Sequence, residues 1–178
     1  MTRQTAIATA AFAAIAAAVV PSPALAAEVS YETHDVRSDP KKGAEEHVTL
    51  DVPDDWERDR LNRVSVGFFD YTTATRSLVV DLDPLNDTPR EIRAEAQTLR
   101  DRGSRYYREH DFRVNDKGEK IRVRWVYSYR DAQTDDEWSY TSVVLIDDER
   151  LVLDGARTDR EQLEQIRKRV VGSFEIQE

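Results

Sequence analysis

The chain has 178 residues, no cysteine and a formal net charge of −9, from 26 Lys and Arg against 35 Asp and Glu. The lack of cysteine excludes disulfides, thiolate metal sites and a cysteine nucleophile. The negative charge disfavours binding to nucleic acid, because phosphate groups repel an acidic protein.

The first 26 residues have the layout of a secretory signal peptide. Arg3 precedes an Ala-rich apolar run from Ala6 to Val20, and Ala24-Leu25-Ala26 forms a small-x-small cleavage site. A bilayer span needs about 20 clearly apolar residues, which this run does not supply. We therefore expect cleavage near Ala26 and an exported protein without a membrane span in its mature form. No cysteine follows the run, so no lipid anchor is expected.

Residues 27–46 are polar and contain a Pro-Lys-Lys-Gly breaker, so we interpret them as a flexible linker. The alternative is a short edge strand near the start of this segment. Residues 47–178 are expected to form one domain. Its first strand, HVTLDV from His47 to Val52, ends in a Pro-Asp-Asp-Trp turn that should fold Trp56 back over the sheet. Two more strands are predicted at 64–71 and 77–83.

Two helices are predicted from capping boxes that precede apolar stripes. Thr88-Pro89-Arg90-Glu91 is a capping box with proline at the first helical position, and the stripe after it predicts a helix to about His110. Thr158-Asp159-Arg160-Glu161 repeats the signature before a terminal helix. Gly172 is the expected C-cap of that helix.

Residues 119–157 predict three antiparallel strands in a meander. Trp125 lies in a run of aromatic and β-branched residues that alternates with Arg122 and Arg124. This pattern predicts one well-buried sheet face and a second face that is at best partly covered. The order of elements predicts an α+β fold, with an antiparallel β-sheet of about six strands and helices packed on it as an α–β–α sandwich.

Two motifs resemble those of PsbP-like domains. HVTLDVPDDW, which begins at His47, resembles their strand–Val–Pro–x–x–Trp opening, although Asp55 stands where many members have Gly. IRKRVVGSFEI, which begins at Ile166, resembles their closing helix followed by Ser-Phe. The group includes the extrinsic P subunit of photosystem II, a nuclear import factor that binds the Ran GTPase, and LpqN-type exported lipoproteins of high-GC bacteria, whose lipidated cysteine is absent here. The resemblance implies domains that dock onto other proteins, and it carries over no functional residue.

No residue set in the sequence indicates catalysis or metal binding. His34, His47 and His110 have no metal-site spacing. The run from Asp81 to Asp87 begins like a calcium loop but departs from it at positions five, six and twelve. No nucleophile-elbow motif occurs. We therefore assign no catalytic residue, no metal and no cofactor.

Arginines concentrated in one part of an acidic chain are the feature that predicts a binding surface. The alternative is ordinary salt bridging on a helix surface. We predict a non-catalytic exported protein-binding or accessory domain, whose partner is another exported or envelope protein. A small extracellular hydrolase that uses His47 or His110 with a carboxylate, and a carrier of an apolar ligand between sheet and helix, remain as alternatives. The predicted binding residues are Arg105, Arg108, Arg113, Arg122 and Arg124.

Overall fold

The fold is built on a seven-stranded antiparallel sheet, with a second sheet of three strands and two helices. The computed structural model describes residues 29–38, 46–73, 75–82, 88–103, 105–115, 120–130 and 138–177. The predicted signal peptide therefore lies outside the described residues, as do residues 83–87 of the calcium-like run. Within the described ranges the elements are β1 Tyr31–Arg37, β2 His47–Pro53, β3 Glu57–Arg60, β4 Ser65–Asp70, β5 Arg76–Asp81, α1 Pro89–Asp101, β6 Tyr107–Val114, β7 Ile121–Tyr129, β8 Ser139–Ile146, β9 Glu149–Ala156, α2 Arg160–Ser173 and β10 Glu175–Ile176.

Sheet topology confirms the predicted α+β class. The larger sheet has the order β3-β4-β5-β9-β8-β7-β6, and the smaller one has the order β1-β2-β10. Neighbouring strands pair antiparallel in both sheets. The larger sheet has seven strands against a predicted count of about six. The sequence did not indicate β3, whose residues ERDR are exposed throughout and have no apolar alternation.

The predicted linker is wrong for residues 31–37, which form strand β1. This strand pairs with β2 along its whole length, and Val36 lies opposite Val48 in the ladder. Both valines are fully buried. The sequence does not indicate this strand, because Val36 is its one fully buried residue. A strand held mainly by backbone pairing shows no apolar period.

The two helices cover opposite faces of the central strands, so the prediction of a partly covered second face is wrong. On the face called here the α1 face, Ile92 and Ala96 of α1 join a buried cluster with Trp125. On the opposite α2 face, apolar residues of α2 such as Ile166 pack with the smaller sheet and with β5, β8 and β9. Strand β8 is buried on both faces, because alternate residues pack against different helices.

The first predicted capping box is confirmed. The Thr88 hydroxyl accepts a hydrogen bond from the Glu91 amide at 3.3 Å, and the Glu91 carboxylate accepts one from the Thr88 amide at 2.9 Å. Trp56 is also buried after its turn, as predicted. Helix α2 instead follows a 3-10 turn, and its N-cap Asp159 makes no side-chain capping bond, so the second predicted box does not form. Gly172 lies inside α2 and does not cap it.

Helix α1 is shorter than predicted, ending at Asp101 where the sequence indicated about His110. Gly103 has φ of 81°, a left-handed conformation that stops the helix, and its amide donates to the Arg100 carbonyl at 2.9 Å. Tyr107 fits the helical spacing, yet it begins β6 and is buried on the α1 face. Tertiary burial in the sheet therefore prevails over the helical period here.

Candidate functional site

Antiparallel register brings four strand ends together at one end of the larger sheet. Tyr107 at the start of β6 pairs with Tyr129 at the end of β7, and Tyr129 pairs with Ser139 at the start of β8. Ser139 in turn pairs with Ala156 at the end of β9. The residues next to these positions therefore become neighbours although they come from different parts of the sequence. They are Arg108, Arg130, Trp138 and Arg157, which we call the arginine–tryptophan cluster.

Three guanidinium groups converge on one indole ring in this cluster. The Cζ atom of Arg108 lies 4.7 Å from the centroid of the Trp138 ring, that of Arg157 at 5.6 Å, and that of Arg130 at 6.0 Å. Trp138 is half-buried, whereas Arg108 and Arg157 are exposed. Each contact has cation–π geometry, worth about 0.5–1 kcal/mol at an exposed site. The ring thus holds several cations at the surface in a fixed arrangement.

The positive charge of the cluster is not cancelled by ion pairs at Arg108 and Arg157. Neither guanidinium makes an ion pair with any residue in the part of the chain that the structure describes. Burial is the largest cause that lowers the pKa of the nearby His110 imidazole. The charges of Arg160, Arg157 and Arg108 lower it as well, whereas the charge of Glu164 raises it.

The five arginines predicted as one band fall into two groups. Arg105 and Arg108 lie at the end of the sheet that carries the cluster, and Arg105 stacks on Tyr106 with its Cζ 5.4 Å from the ring centroid. The other three lie farther along the strands. Arg108 pairs with Ser128 of β7, whereas Arg113 pairs with Arg124 of the same strand. Ser128 and Arg124 are four positions apart, which corresponds to about 13 Å along a strand.

Each arginine of the second group makes an ion pair, and Arg113 and Arg124 share one carboxylate. Arg113 and Arg124 flank the Asp111 carboxylate at 3.0 Å and 3.1 Å, and Arg122 contacts Asp148 at 3.3 Å. Ordinary salt bridging, the alternative that the sequence left open, therefore describes these three arginines. The five predicted binding residues did not include Arg130, Trp138 or Arg157. No short-range signal marks Arg157, because its contact with Trp138 depends on the pairing of β8 with β9.

His110 and Ser128 resemble part of a hydrolytic site, but their geometry does not favour attack on a substrate. The Nε2 atom of His110 lies 2.9 Å from Oγ of Ser128. Ser128 is 0% exposed. A nucleophile must reach the carbon that it attacks, and a fully enclosed hydroxyl cannot. This pair is better described as a buried hydrogen bond that fixes the imidazole beside the cluster.

The remaining histidines and cavities give little support to the other predicted alternatives. His47 lies 2.7 Å from Asp35 through Nε2, and no hydroxyl contacts its ring in the described part of the chain. His34 packs edge-on against Phe68 at 4.9 Å between ring centroids.

Across the described ranges no group of three or more His, Asp or Glu could hold a metal ion. No helix in those ranges is long and apolar enough to cross a bilayer. The cavity between α2 and the sheet measures about 10 Å³, too small for an apolar ligand.

Comparison with known proteins gives structural likenesses but no match of sequence. No protein-family model matches the chain, and no curated protein matches it. The solution structure of cyanobacterial PsbP (CyanoP) from Synechocystis sp. PCC 6803 is similar to 88% of this chain and 98% of that one, with 18% identity and a TM-score of 0.45. The match falls in the group that the sequence motifs resemble. Identity and TM-score at this level transfer neither a function nor a site.

Proposed function

We propose that this protein is a non-catalytic docking domain, exported from the cell, that binds an acidic partner protein of the envelope through the arginine–tryptophan cluster. The observation that carries the proposal is the convergence of three guanidinium groups on the half-exposed ring of Trp138. Export rests on the signal-like sequence of residues 1–26.

Charge complementarity is the physical reason for an acidic partner. Outside the cluster the protein is predominantly negative, so it repels an acidic surface in most orientations. The cluster is the place where attraction replaces repulsion, which orients the encounter and raises the association rate. Arginine and tryptophan are also the residues most enriched at the energetic centres of protein interfaces. The exposed guanidinium groups of Arg108 and Arg157 can pair with carboxylates of the partner.

A charge reversal at two cluster positions tests the proposal. The double variant Arg108→Glu/Arg157→Glu should stay folded and lose at most about 1–2 kcal/mol of unfolding free energy, because it removes two cation–π contacts at the surface. Its affinity for an acidic ligand should fall by about tenfold or more, mainly through slower association. Binding can be measured by surface plasmon resonance with an immobilised oligoglutamate peptide, and then with proteins captured from an envelope extract.

Arg58→Glu/Arg63→Glu is the matched control, since it makes the same change in net charge at two exposed positions. Arg58 lies on β3, the edge strand at the other side of the sheet from β6, and Arg63 lies in the loop after β3. The control should bind nearly as well as the original protein, and added salt should narrow the gap between the two variants because screening weakens the contact. Equal loss of binding in both double variants would show that net charge alone drives association, and would refute a specific surface at Trp138.

A further inference from the structure

Helix α1 covers only one part of its face of the larger sheet. Its two buried residues, Ile92 and Ala96, pack with side chains of β6, β7 and β8. Strands β5, β4 and β3 follow on the other side of β9, toward the opposite edge of the sheet. Among the described residues, none of these three strands contributes to the cluster that α1 buries. The α1 face of β3, β4 and β5 is therefore not part of that helix–sheet contact.

Strand register identifies the residues that lie on this uncovered area. Val143 of β8 lies beneath α1 and pairs with Val152 of β9, which pairs with Val79 of β5. Val79 pairs with Gly67 of β4, and Gly67 pairs with Asp59 of β3. Paired residues point to the same face of a sheet, so this whole row belongs to the α1 face.

Three large side chains on this area form one apolar surface. Leu61 is 48% exposed, Tyr71 is 55% exposed and Phe69 is half-buried. A Cβ atom added at Gly67 would lie 2.5 Å from the ring of Phe69 and 3.3 Å from Cδ1 of Leu61, so both side chains extend over the glycine. The ring of Tyr71 continues the surface, with its centroid 5.9 Å from that of Phe69. Contiguous apolar surface of this kind is typical of interaction sites.

Two carboxylates border the apolar surface on β3. Glu57 and Asp59 are exposed, and neither makes an ion pair with any residue in the described ranges. The hydroxyl of Tyr71 donates to Oδ2 of Asp59 at 2.9 Å, which places this carboxylate beside the rings. Arg58 and Arg60 point to the opposite face, because successive residues of a strand alternate. We call the group Glu57, Asp59, Leu61, Phe69 and Tyr71 the β3–β4 patch.

We propose that the β3–β4 patch docks a basic amphipathic helix of a partner protein, which lies across the sheet beside α1. The apolar stripe of that helix covers Leu61, Phe69 and Tyr71, since helices are the elements that cover sheet faces in layered domains. Lysine or arginine residues that flank the stripe pair with Glu57 and Asp59.

The charge of the patch decides between possible occupants. An acidic partner or an anionic lipid surface is repelled by its two carboxylates. A second copy of the chain carries the same net charge of −9 and is repelled as well. The patch shares no residue with the arginine–tryptophan cluster, so this inference does not depend on the function proposed above.

A defined peptide tests the apolar part of the patch. The probe is a fluorescent helical peptide of leucine and lysine only, with all leucines on one side, and anisotropy measures its binding to the purified protein. Leu61→Ser/Tyr71→Ser should weaken binding by about tenfold, because it removes apolar area that the helix buries. Ile121→Ser/Ile176→Ser is the matched control, since these isoleucines are 38% and 43% exposed elsewhere on the surface. The control should bind the peptide as the original protein does.

The charged part of the patch is tested by reversal. Glu57→Lys/Asp59→Lys should lower the affinity about tenfold at low salt, mainly through slower association. Glu161→Lys/Glu175→Lys makes the same change in net charge at exposed positions on α2 and β10, and should lower it much less. A peptide with glutamate in place of lysine should not bind to the patch.

Amide chemical shifts give a readout that does not depend on the variants. When the leucine–lysine peptide is titrated, the shifts should change mainly in β3 and β4. Changes centred on α2, or equal losses of affinity in the patch variants and their controls, would overturn the proposal. Sedimentation velocity of the protein alone decides about a second copy. A dimer that Leu61→Ser/Tyr71→Ser dissociates would assign the patch to self-association and overturn the helix proposal.

Discussion

At the residue scale, Trp125 joins helix α1 to the sheet through a chain of hydrogen bonds. Its side chain is fully buried, and its Nε1 atom donates to the hydroxyl of Tyr107 at 3.0 Å. Tyr107 donates to the Glu109 carboxylate at 2.8 Å, and Arg100 of α1 donates to the same carboxylate at 2.7 Å. Burial is the largest cause that raises the pKa of Tyr107, which therefore stays a donor. The chain links β7, β6 and α1 and runs from the buried indole of Trp125 to the surface at Glu109 and Arg100.

Replacing Trp125 with alanine should therefore be severely destabilising. The change removes a large fully buried side chain and leaves the Tyr107 hydroxyl without its donor, at a cost of about 3–5 kcal/mol in unfolding free energy. Equilibrium urea unfolding measures this loss. Tyr107→Phe is the comparison, because it removes only the hydroxyl and should cost about 1 kcal/mol. An unfolding curve of Trp125→Ala that overlays the original one would contradict the burial described here.

At the element scale, two glycines close to the ends of the helices have opposite roles. Gly103 stops α1 in a left-handed conformation, whereas Gly172 continues α2 in a helical one. A Cβ atom added at either position would meet no other atom within 4 Å. Backbone conformation alone therefore decides the effect of a substitution. The comparison separates a glycine that the fold requires from one that it merely tolerates.

Alanine substitutions at these two glycines should shift stability in opposite directions. Gly103→Ala should lower the unfolding free energy by about 1–2 kcal/mol, because a left-handed conformation is strained for a residue with a Cβ atom. Gly172→Ala should raise it by up to about 1 kcal/mol, because alanine loses less backbone entropy in a helix. Thermal melts of the two variants, run side by side, measure both shifts. A change of the same sign in both would be incompatible with these backbone conformations.

At the scale of the whole molecule, one buried carboxyl group makes global stability depend on pH. Glu149 begins β9 and is 6% exposed. Burial is the largest cause that raises its pKa from 4.5 to about 7, and the charge of Glu46 is the second. The folded state thus binds this proton more tightly than the unfolded chain does. The contribution of Glu149 to stability is full below about pH 4.5, and it is lost as the pH rises through about 7.

Glu149→Gln should flatten this part of the pH profile. Between about pH 5 and pH 8 the original protein should lose on the order of 2 kcal/mol that the glutamine variant keeps, because glutamine does not ionise. Chemical unfolding at a series of pH values measures the difference. The exposed Glu161→Gln on α2 serves as control and should follow the original profile. Parallel profiles for the original protein and Glu149→Gln would show that another group causes the pH dependence of stability.

The sequence by itself determined those features that depend on residues a few positions apart. The capping box at Thr88 and Glu91 marks the start of α1, because side chain and amide lie in one turn. The alternation of aromatic and β-branched residues with Arg122 and Arg124 likewise identifies β7 as a strand.

Only the tertiary structure decided which strand faces meet which helix, and which charged groups become neighbours. The meeting of Arg108 with Arg157 at Trp138 depends on strand register. Trp138 lies 30 positions from Arg108 and 19 from Arg157 in the sequence, so no local period indicates these contacts. A shift of one residue in the β8 register would turn Trp138 to the opposite face and disperse the cluster.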